Sequence, residues 1–290
     1  MQSLEGKVIY FNRVPHDTRD SAWGGGNIFL HSLVEAVKAE GAEVIFVSPE
    51  KADMCYVHDC RSASDAIISG KPMVLRVGDL GTHGKPEIMK MLIETIAYSN
   101  HTVFPSTWAY KYAYFNNSFR QNCGQSPVTI IHNQPDTEYF KRKPVHVITH
   151  HWSDNPRKGK ETYEALQEKQ PEWKFSFTFI GRPCFKVKYP TRLIKPSSKD
   201  IIAKLLPTAD YYLTASQEEA GANHVLEALA CNLPVLYKRG GGSIEEYCGI
   251  QGIPFSTVEQ LEPILNINYF PGVKDACQKM LSVFKSVLTI

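Results

Sequence analysis

Two glutamates eight positions apart, Glu219 and Glu227, and a lysine followed by glycine, Lys158-Gly159, are the residues of this chain best suited to chemistry. Carboxylates accept hydrogen bonds from hydroxyls, so two in one crevice can hold a sugar or a ribose. Glu219 stands just before a predicted helix and Glu227 lies about one and a half turns inside it, which lets both point into one cleft. Gly221, Ala222 and Asn223 fall between them, where free amides would face a phosphate with the positive helix end behind. One such dipole contact is worth roughly 0.3–1 kcal/mol, so several must act together. Lys158 can neutralise a pyrophosphate as a point charge. Two unit charges ~4 Å apart interact by roughly 4 kcal/mol at an effective dielectric near 20, a useful share of leaving-group stabilisation. Plainer readings stand beside these. Taken alone, Glu219 is also a helix cap, Glu227 a solvated helical charge and Lys158 an exposed lysine.

Positioning such groups needs elements that end near one another, and the chain supplies them. Short apolar runs alternate with amphipathic stretches. Lys7–Phe11 reads as a buried strand, and 27–40 as a helix with Ile28, Leu30, Leu33, Val34 and Val37 on one stripe. Gly41 ends that helix, and Glu43–Val47 is the next strand. Strand–helix pairs follow at 54–57 and 62–68, 72–77 and 86–98, and 102–104 and 107–115, with a strand at 128–132. After a polar, proline-containing stretch at 133–144 the pattern restarts. Strands are expected at 145–149, 175–180, 211–214, 234–237 and 253–255, with helices at 160–170, 197–206, 222–230, 243–247 and 273–288. This alternation calls for parallel strands joined by crossover helices. The fold class expected is α/β, with two Rossmann-like domains and the join near residue 143. Lys158 and Glu219 then both fall at strand ends, where open α/β sheets bind ligands.

The 290 residues are 43% hydrophobic and 21% charged, enough for a substantial core. A net charge of +2 lacks the strong basic bias of a nucleic-acid surface. No signal peptide is read at the N-terminus, and no stretch approaches the ~18 apolar residues of a membrane span. Seven scattered cysteines form no Cys-x-x-Cys pair, so neither a zinc ribbon nor a disulfide framework is signalled. Reduced thiols and a cytoplasmic location are expected. The pair His150-His151 lacks ligands at metal spacing, so no metal site is expected. Gly24-Gly25-Gly26 allows close backbone approach but lacks both the dinucleotide fingerprint and a Walker lysine. A tight turn without ligand is its plainer reading.

The segment 219–227, Glu-Ala-Gly-Ala-Asn-His-Val-Leu-Glu, resembles the Glu-x7-Glu motif of glycosyltransferase family 4. The continuation Ala-Leu-Ala-Cys-Asn-Leu-Pro-Val and then Gly241-Gly242-Ser-Ile-Glu245 is similar to the family pattern too. The resemblance implies a GT-B fold, two Rossmann-like domains whose parallel sheets face a central cleft. It implies retaining transfer of a sugar from a nucleotide-diphosphate sugar, UDP- or GDP-linked, to an acceptor hydroxyl of a glycan or glycoconjugate. No metal or other cofactor is implied. Glu219 would contact the transferred sugar and act in catalysis with Lys158, while Glu227 would hold the ribose hydroxyls. Gly25, Gly26, Ser153, Lys158, Arg182, Gly221, Ala222 and Asn223 complete the donor-binding set. The loop 149–159 is similar to the family's Arg-x4-Lys-Gly element, except that Ser153 stands where the arginine would be. The segment 130–140 resembles the family's interdomain segment, with Asn133, Asp136 and Phe140 matching and Gln134 in place of glycine.

These features give an acceptor domain at 1–142, a donor domain at 143–270 and a C-terminal helix at 271–290, which can pack back on the first domain. Acceptor candidates at strand ends of the first half are Asp79 and His83, with His58, Asp59, Arg61 and Arg76 nearby. The expected partners are a nucleotide-diphosphate sugar and a glycan acceptor, with no nucleic acid; peripheral membrane contact stays open. A catalytically inactive nucleotide-sugar-binding module and a GT-B nucleotide-sugar epimerase are the alternatives.

Overall fold

The computed structural model describes residues 3–16, 25–82, 84–115, 126–188 and 190–289. Gly24 and His83, both singled out above, lie outside the described residues. The chain divides into two compact units, one made of Met1–Phe140 with Pro271–Ile290 and the other of Lys141–Phe270.

Each unit is built on a six-stranded sheet in which every pairing is parallel. The first contains β1 (Val8–Phe11), β2 (Glu43–Ile45), β3 (Met54–Val57), β4 (Met73–Arg76), β5 (His101–Phe104) and β6 (Val128–Ile130), in the order β2-β1-β3-β4-β5-β6. β3 and β4 are buried at every position, as strands between two helical layers must be, and β4 ends on a buried charge, Arg76. The second contains β7 (His146–His151), β8 (Ser176–Gly181), β9 (Arg192–Ile194), β10 (Tyr211–Thr214), β11 (Val235–Lys238) and β12 (Gly252–Phe255), in the order β12-β11-β10-β7-β8-β9. Counted within its own unit, that is the doubly wound Rossmann order, whose direction reverses between β7 and β10. The two Rossmann-like α/β sheets expected from the alternation are therefore present.

Helices cover the sheets through apolar stripes. In the first unit, Phe29, Leu30, Leu33, Val34 and Val37 of the helix Gly25–Ala39 are buried at i, i+1, i+4, i+5 and i+8. The C-terminal helix Val273–Val287 packs beside it, burying Val273, Ala276, Cys277, Met280, Leu281, Phe284 and Val287. Phe284 reaches the sheet, with its ring centroid 5.5 Å from that of Tyr56 and 6.4 Å from that of Phe11. At the start of this helix the Gly272 amide donates to the Asp275 carboxylate at 2.8 Å, satisfying one of the orphan donors there. Val273 donates to the Pro135 carbonyl at 2.9 Å, and Lys274 pairs with Glu138 at 2.6 Å. The second unit opens with a staple of its own. Arg142 donates to the carbonyls of Pro263, Ile264 and Asn266.

The edge strand β9 has no counterpart in the sequence reading. It is three residues long with Arg192 and Leu193 exposed, so it carries neither alternation nor an apolar run. The helix expected at 160–170 runs on through Pro171 to Trp173. Trp173 is 1% exposed in the core, and burying that ring outweighs the backbone donor that proline lacks.

Candidate functional site

The loop after β7 turns sharply because Asn155 caps it. The Asn155 side chain accepts from the Arg157 amide at 3.0 Å, and Pro156 opens a 3₁₀ turn over Pro156–Lys158. Neighbours on such a turn project about a third of a revolution apart. Arg157 therefore points outward, to an ion pair with exposed Glu218, while Lys158 points in. Gly159 follows with φ 105°, and a Cβ there would stand 2.4 Å from the Ala215 Cβ. Only glycine lets this loop close on the end of β10. The Gln217 amide then donates to the Arg157 carbonyl at 3.0 Å and ties the two loops together.

Glu219 is fixed through its backbone. Its amide donates to the Gly241 carbonyl at 3.1 Å, and its carbonyl accepts from the Ser243 amide at 2.9 Å. Gly242, with φ 69°, leaves no room for a Cβ, which would fall 2.6 Å from the Glu219 carbonyl oxygen. The residue before, Glu218, holds φ 54°, a left-handed conformation that costs a side-chain-bearing residue roughly 1–2 kcal/mol. With Glu219 so held, its carboxylate ion-pairs with the Lys158 ammonium.

The helix Asn223–Ala230 brings His224 and Glu227, three residues apart, to the same wall. His150, near the end of β7, bonds the Glu227 carboxylate through Nε2 at 2.8 Å. A carboxylate only accepts, so that Nε2 carries the proton and the buried Nδ1, which has no partner among the described residues, is a bare acceptor. The His151 Nε2 lies 2.7 Å from the Tyr163 hydroxyl, and the His224 Nε2 lies 3.2 Å from the Thr214 hydroxyl. Burial is the main force holding all three imidazoles below their ordinary pKa. For His150 the adjoining Glu227 carboxylate opposes it; for His224, brought down to about 4, the His150 ring adds to it. The three are neutral at pH 7, so Lys158, Lys199, Glu219 and Glu227 set the charge of this wall.

These groups surround one cavity of about 390 Å³ at the carboxyl ends of β7, β8 and β10, where the strand order reverses. Lys158, Ser153, Glu219, Gly221, Asn223 and Glu227 line it. Glu227 keeps 38% of its side chain exposed, so the His150 contact leaves it reachable by a ligand.

Ala222 does not line this cavity. It is fully buried, and its amide donates to the Ser243 hydroxyl at 3.2 Å. The Asn223 amide donates to the Gly221 carbonyl at 3.1 Å, so of the three amides expected to be free, these two are engaged. Arg182 does not line the cavity either; its guanidinium lies 5.1 Å from the ring centroid of Trp152, which does. Gly26 and Asp79 belong to the other unit, where both line a second cavity. Gly25 begins the helix there.

The sequence reading missed Lys199, Trp152, His224 and the pairing of His150 with Glu227. Lys199 opens a helix after the unrecognised edge strand, so no motif marked it. His150 and Glu227 are 77 positions apart, and only the parallel pairing of β7 with β10 joins them.

No protein-family model matches the chain, and no curated protein sequence does. Among solved structures, HepE of Anabaena, in complex with UDP and glucose, is 14% identical over 97% of this chain and 99% of its own, with a TM-score of 0.38. Sucrose-phosphate synthase from Thermosynechococcus elongatus is 12% identical over 98% and 99%, with a TM-score of 0.43. AviGT4, a glycosyltransferase involved in avilamycin A biosynthesis, is 13% identical over 98% of both chains, with a TM-score of 0.33. Likeness this loose adds no argument about the site. Among the described residues no helix is long and apolar enough to cross a membrane.

Proposed function

We propose that the chain is a GT-B retaining glycosyltransferase of the family 4 kind. It would move a sugar from a UDP- or GDP-linked donor to a hydroxyl of a glycan or glycoconjugate. The observation that carries this reading is the convergence of Lys158, Glu219 and Glu227 on one cavity at the strand-order reversal of a Rossmann sheet.

In this reading Glu227, preset by His150, receives the ribose hydroxyls, and Trp152 with Arg182 offers a flat surface to the base. The diphosphate lies toward Lys158, with Ser153 as a hydroxyl donor and Lys199 as a second cation where the family resemblance leads one to look for an arginine. The bond from the anomeric carbon to the diphosphate oxygen breaks as the bond to the acceptor oxygen forms. The acceptor proton passes to a diphosphate oxygen on the same face. Lys158 meets the charge that grows on the leaving group, which is electrostatic preorganisation. Glu219 faces the sugar and, until a donor arrives, keeps the Lys158 ammonium in place. Reaction requires no metal in this scheme.

Ser153 favours one second reading, a module that binds a nucleotide sugar without transferring it. Incubation with radiolabelled nucleotide sugars separates the two, because only the enzyme releases free sugar by slow hydrolysis. Glu219→Gln tests the role assigned to the first carboxylate. Turnover should fall by orders of magnitude while nucleotide affinity changes several-fold at most. Equal losses in both would remove Glu219 from the chemistry.

A further inference from the structure

The first unit has a cavity of its own, of about 230 Å³, at the carboxyl ends of β1, β3, β4 and β5. The sheet order turns there as well, between β1 and β3. Arg76, the last residue of β4, lines it and is only 4% exposed. Its guanidinium donates to the Asn133 side-chain oxygen at 2.5 Å and lies 4.5 Å from the centroid of the Phe29 ring. Among the described residues no carboxylate comes within salt-bridge distance of it. A guanidinium has five N–H donors, and one amide oxygen with one ring face leaves most of them unmatched.

Buried cations in folded proteins are normally paired, because desolvation is costly without a counter-charge. The two carboxylates on this wall have other engagements. Asp59 is clasped by Arg61 at 2.6 Å, with Arg13 3.9 Å away. Asp79 accepts from the Gly81 amide at 2.9 Å. His58 shares the wall. Burial, with the Arg76 and Arg13 charges next in weight, takes its pKa down to about 3, so it stays neutral and adds no charge to the wall. Gly26 and Gly78 leave the cavity open. A Cβ on Gly78 would meet no strain, yet would stand 4.0 Å from the Arg76 Nη1.

We propose that this cavity binds an oxyanion, a phosphate or a carboxylate carried by a small polyol, with Arg76 as its counter-charge. Asn133 sets the plane of the guanidinium. The remaining acceptor capacity of Asp59 and Asp79 suits the hydroxyls of the same molecule. These are the residues read above as acceptor candidates, so the inference rests on the proposed transfer and gives its acceptor a chemical class. The cavity lies wholly within the first unit, and anion binding there is read separately from nucleotide binding.

Calorimetric titration of the full chain with glucose 6-phosphate, glucuronate and glucose tests this. The wild type should bind at least one of the two anions tenfold or more tightly than glucose, and the preferred one identifies the oxyanion. Arg76→Met and Gly78→Val should each lower that affinity at least tenfold, the first by removing the charge and the second by filling the space before it. Saturating UDP should not displace the anion. If circular dichroism shows Arg76→Met unfolded, Gly78→Val decides alone. Glucose binding as tightly as the anions, anion binding unchanged in the folded variants, or displacement by UDP would each overturn the proposal.

Discussion

Arg157 and Lys158 are neighbours in sequence with opposite surroundings, one ion-paired at the surface and the other turned into a cavity beside Glu219. A lysine before a glycine reads equally as an exposed lysine; its match to the lysine of the Arg-x4-Lys-Gly element singled out Lys158, whereas Arg157 has no counterpart there. Spacing alone left Glu219 open as a helix cap and Glu227 as a solvated helical charge; their match to the Glu-x7-Glu pattern is what singled them out, and both line the cavity. No pattern marked the imidazoles, since His150, His151 and His224 meet only once β7 lies beside β10. Their neutrality has a consequence for stability. His58, His150, His151 and His224 are all held below the ordinary histidine pKa, His224 to about 4 and His58 to about 3. Below pH 6.5 the unfolded chain takes up protons that the folded chain resists. The stability they contribute is therefore whole above pH 6.5 and is lost as pH falls toward 4 and below. Each such group adds a slope of up to ~1.4 kcal/mol per pH unit. Urea midpoints should fall between pH 7 and pH 5, and His224→Gln should flatten that fall. A midpoint with the same pH dependence in the variant would remove His224 from this set.

Elements place these residues through loops that only glycine can make. Gly159→Ala would combine a left-handed φ with a Cβ 2.4 Å from that of Ala215. Backbone cannot yield there without moving Lys158, so we expect a loss of roughly 2–4 kcal/mol in urea denaturation, at the upper range for single substitutions. A loss below half of that would mean the two loops are less tightly joined than the Gln217–Arg157 hydrogen bond indicates. Most of these elements could be read in advance, because buried parallel strands are short apolar runs and their crossover helices carry apolar stripes. What escaped was β9, too short and too exposed to show a pattern, and with it the position of Lys199. The amides at the start of Asn223–Ala230 also escaped, because the Ser243 hydroxyl that takes the Ala222 amide arrives from another loop.

At the scale of the whole molecule, the last twenty residues belong to the first unit although the entire second unit precedes them. The helix Val273–Val287 closes the core around Phe11, Tyr56 and Phe284. Truncating even one large buried side chain costs ~2–5 kcal/mol, and this helix buries several. Deleting 271–290 therefore removes more than the ~5–15 kcal/mol that holds a domain together. The first unit of the truncated chain should lose its cooperative thermal transition and become sensitive to protease. Retention of a wild-type transition would show that this helix is dispensable. That the chain holds two Rossmann-like sheets followed from a pattern that stops at 132 and restarts at 145. That no carboxylate among the described residues pairs with Arg76 did not, because such a charge is visible only in the folded arrangement of its neighbours.

All of these scales meet in the charge at Lys158. Calorimetric titration of UDP and GDP into the wild type and into Lys158→Ala tests the account most directly. One of the two nucleotides should bind the wild type, and the variant should bind it about ten- to a hundredfold more weakly, the part of a ~4 kcal/mol ion pair that survives solvent screening. Failure of both nucleotides to bind the wild type, or equal affinity in the two proteins, would contradict it.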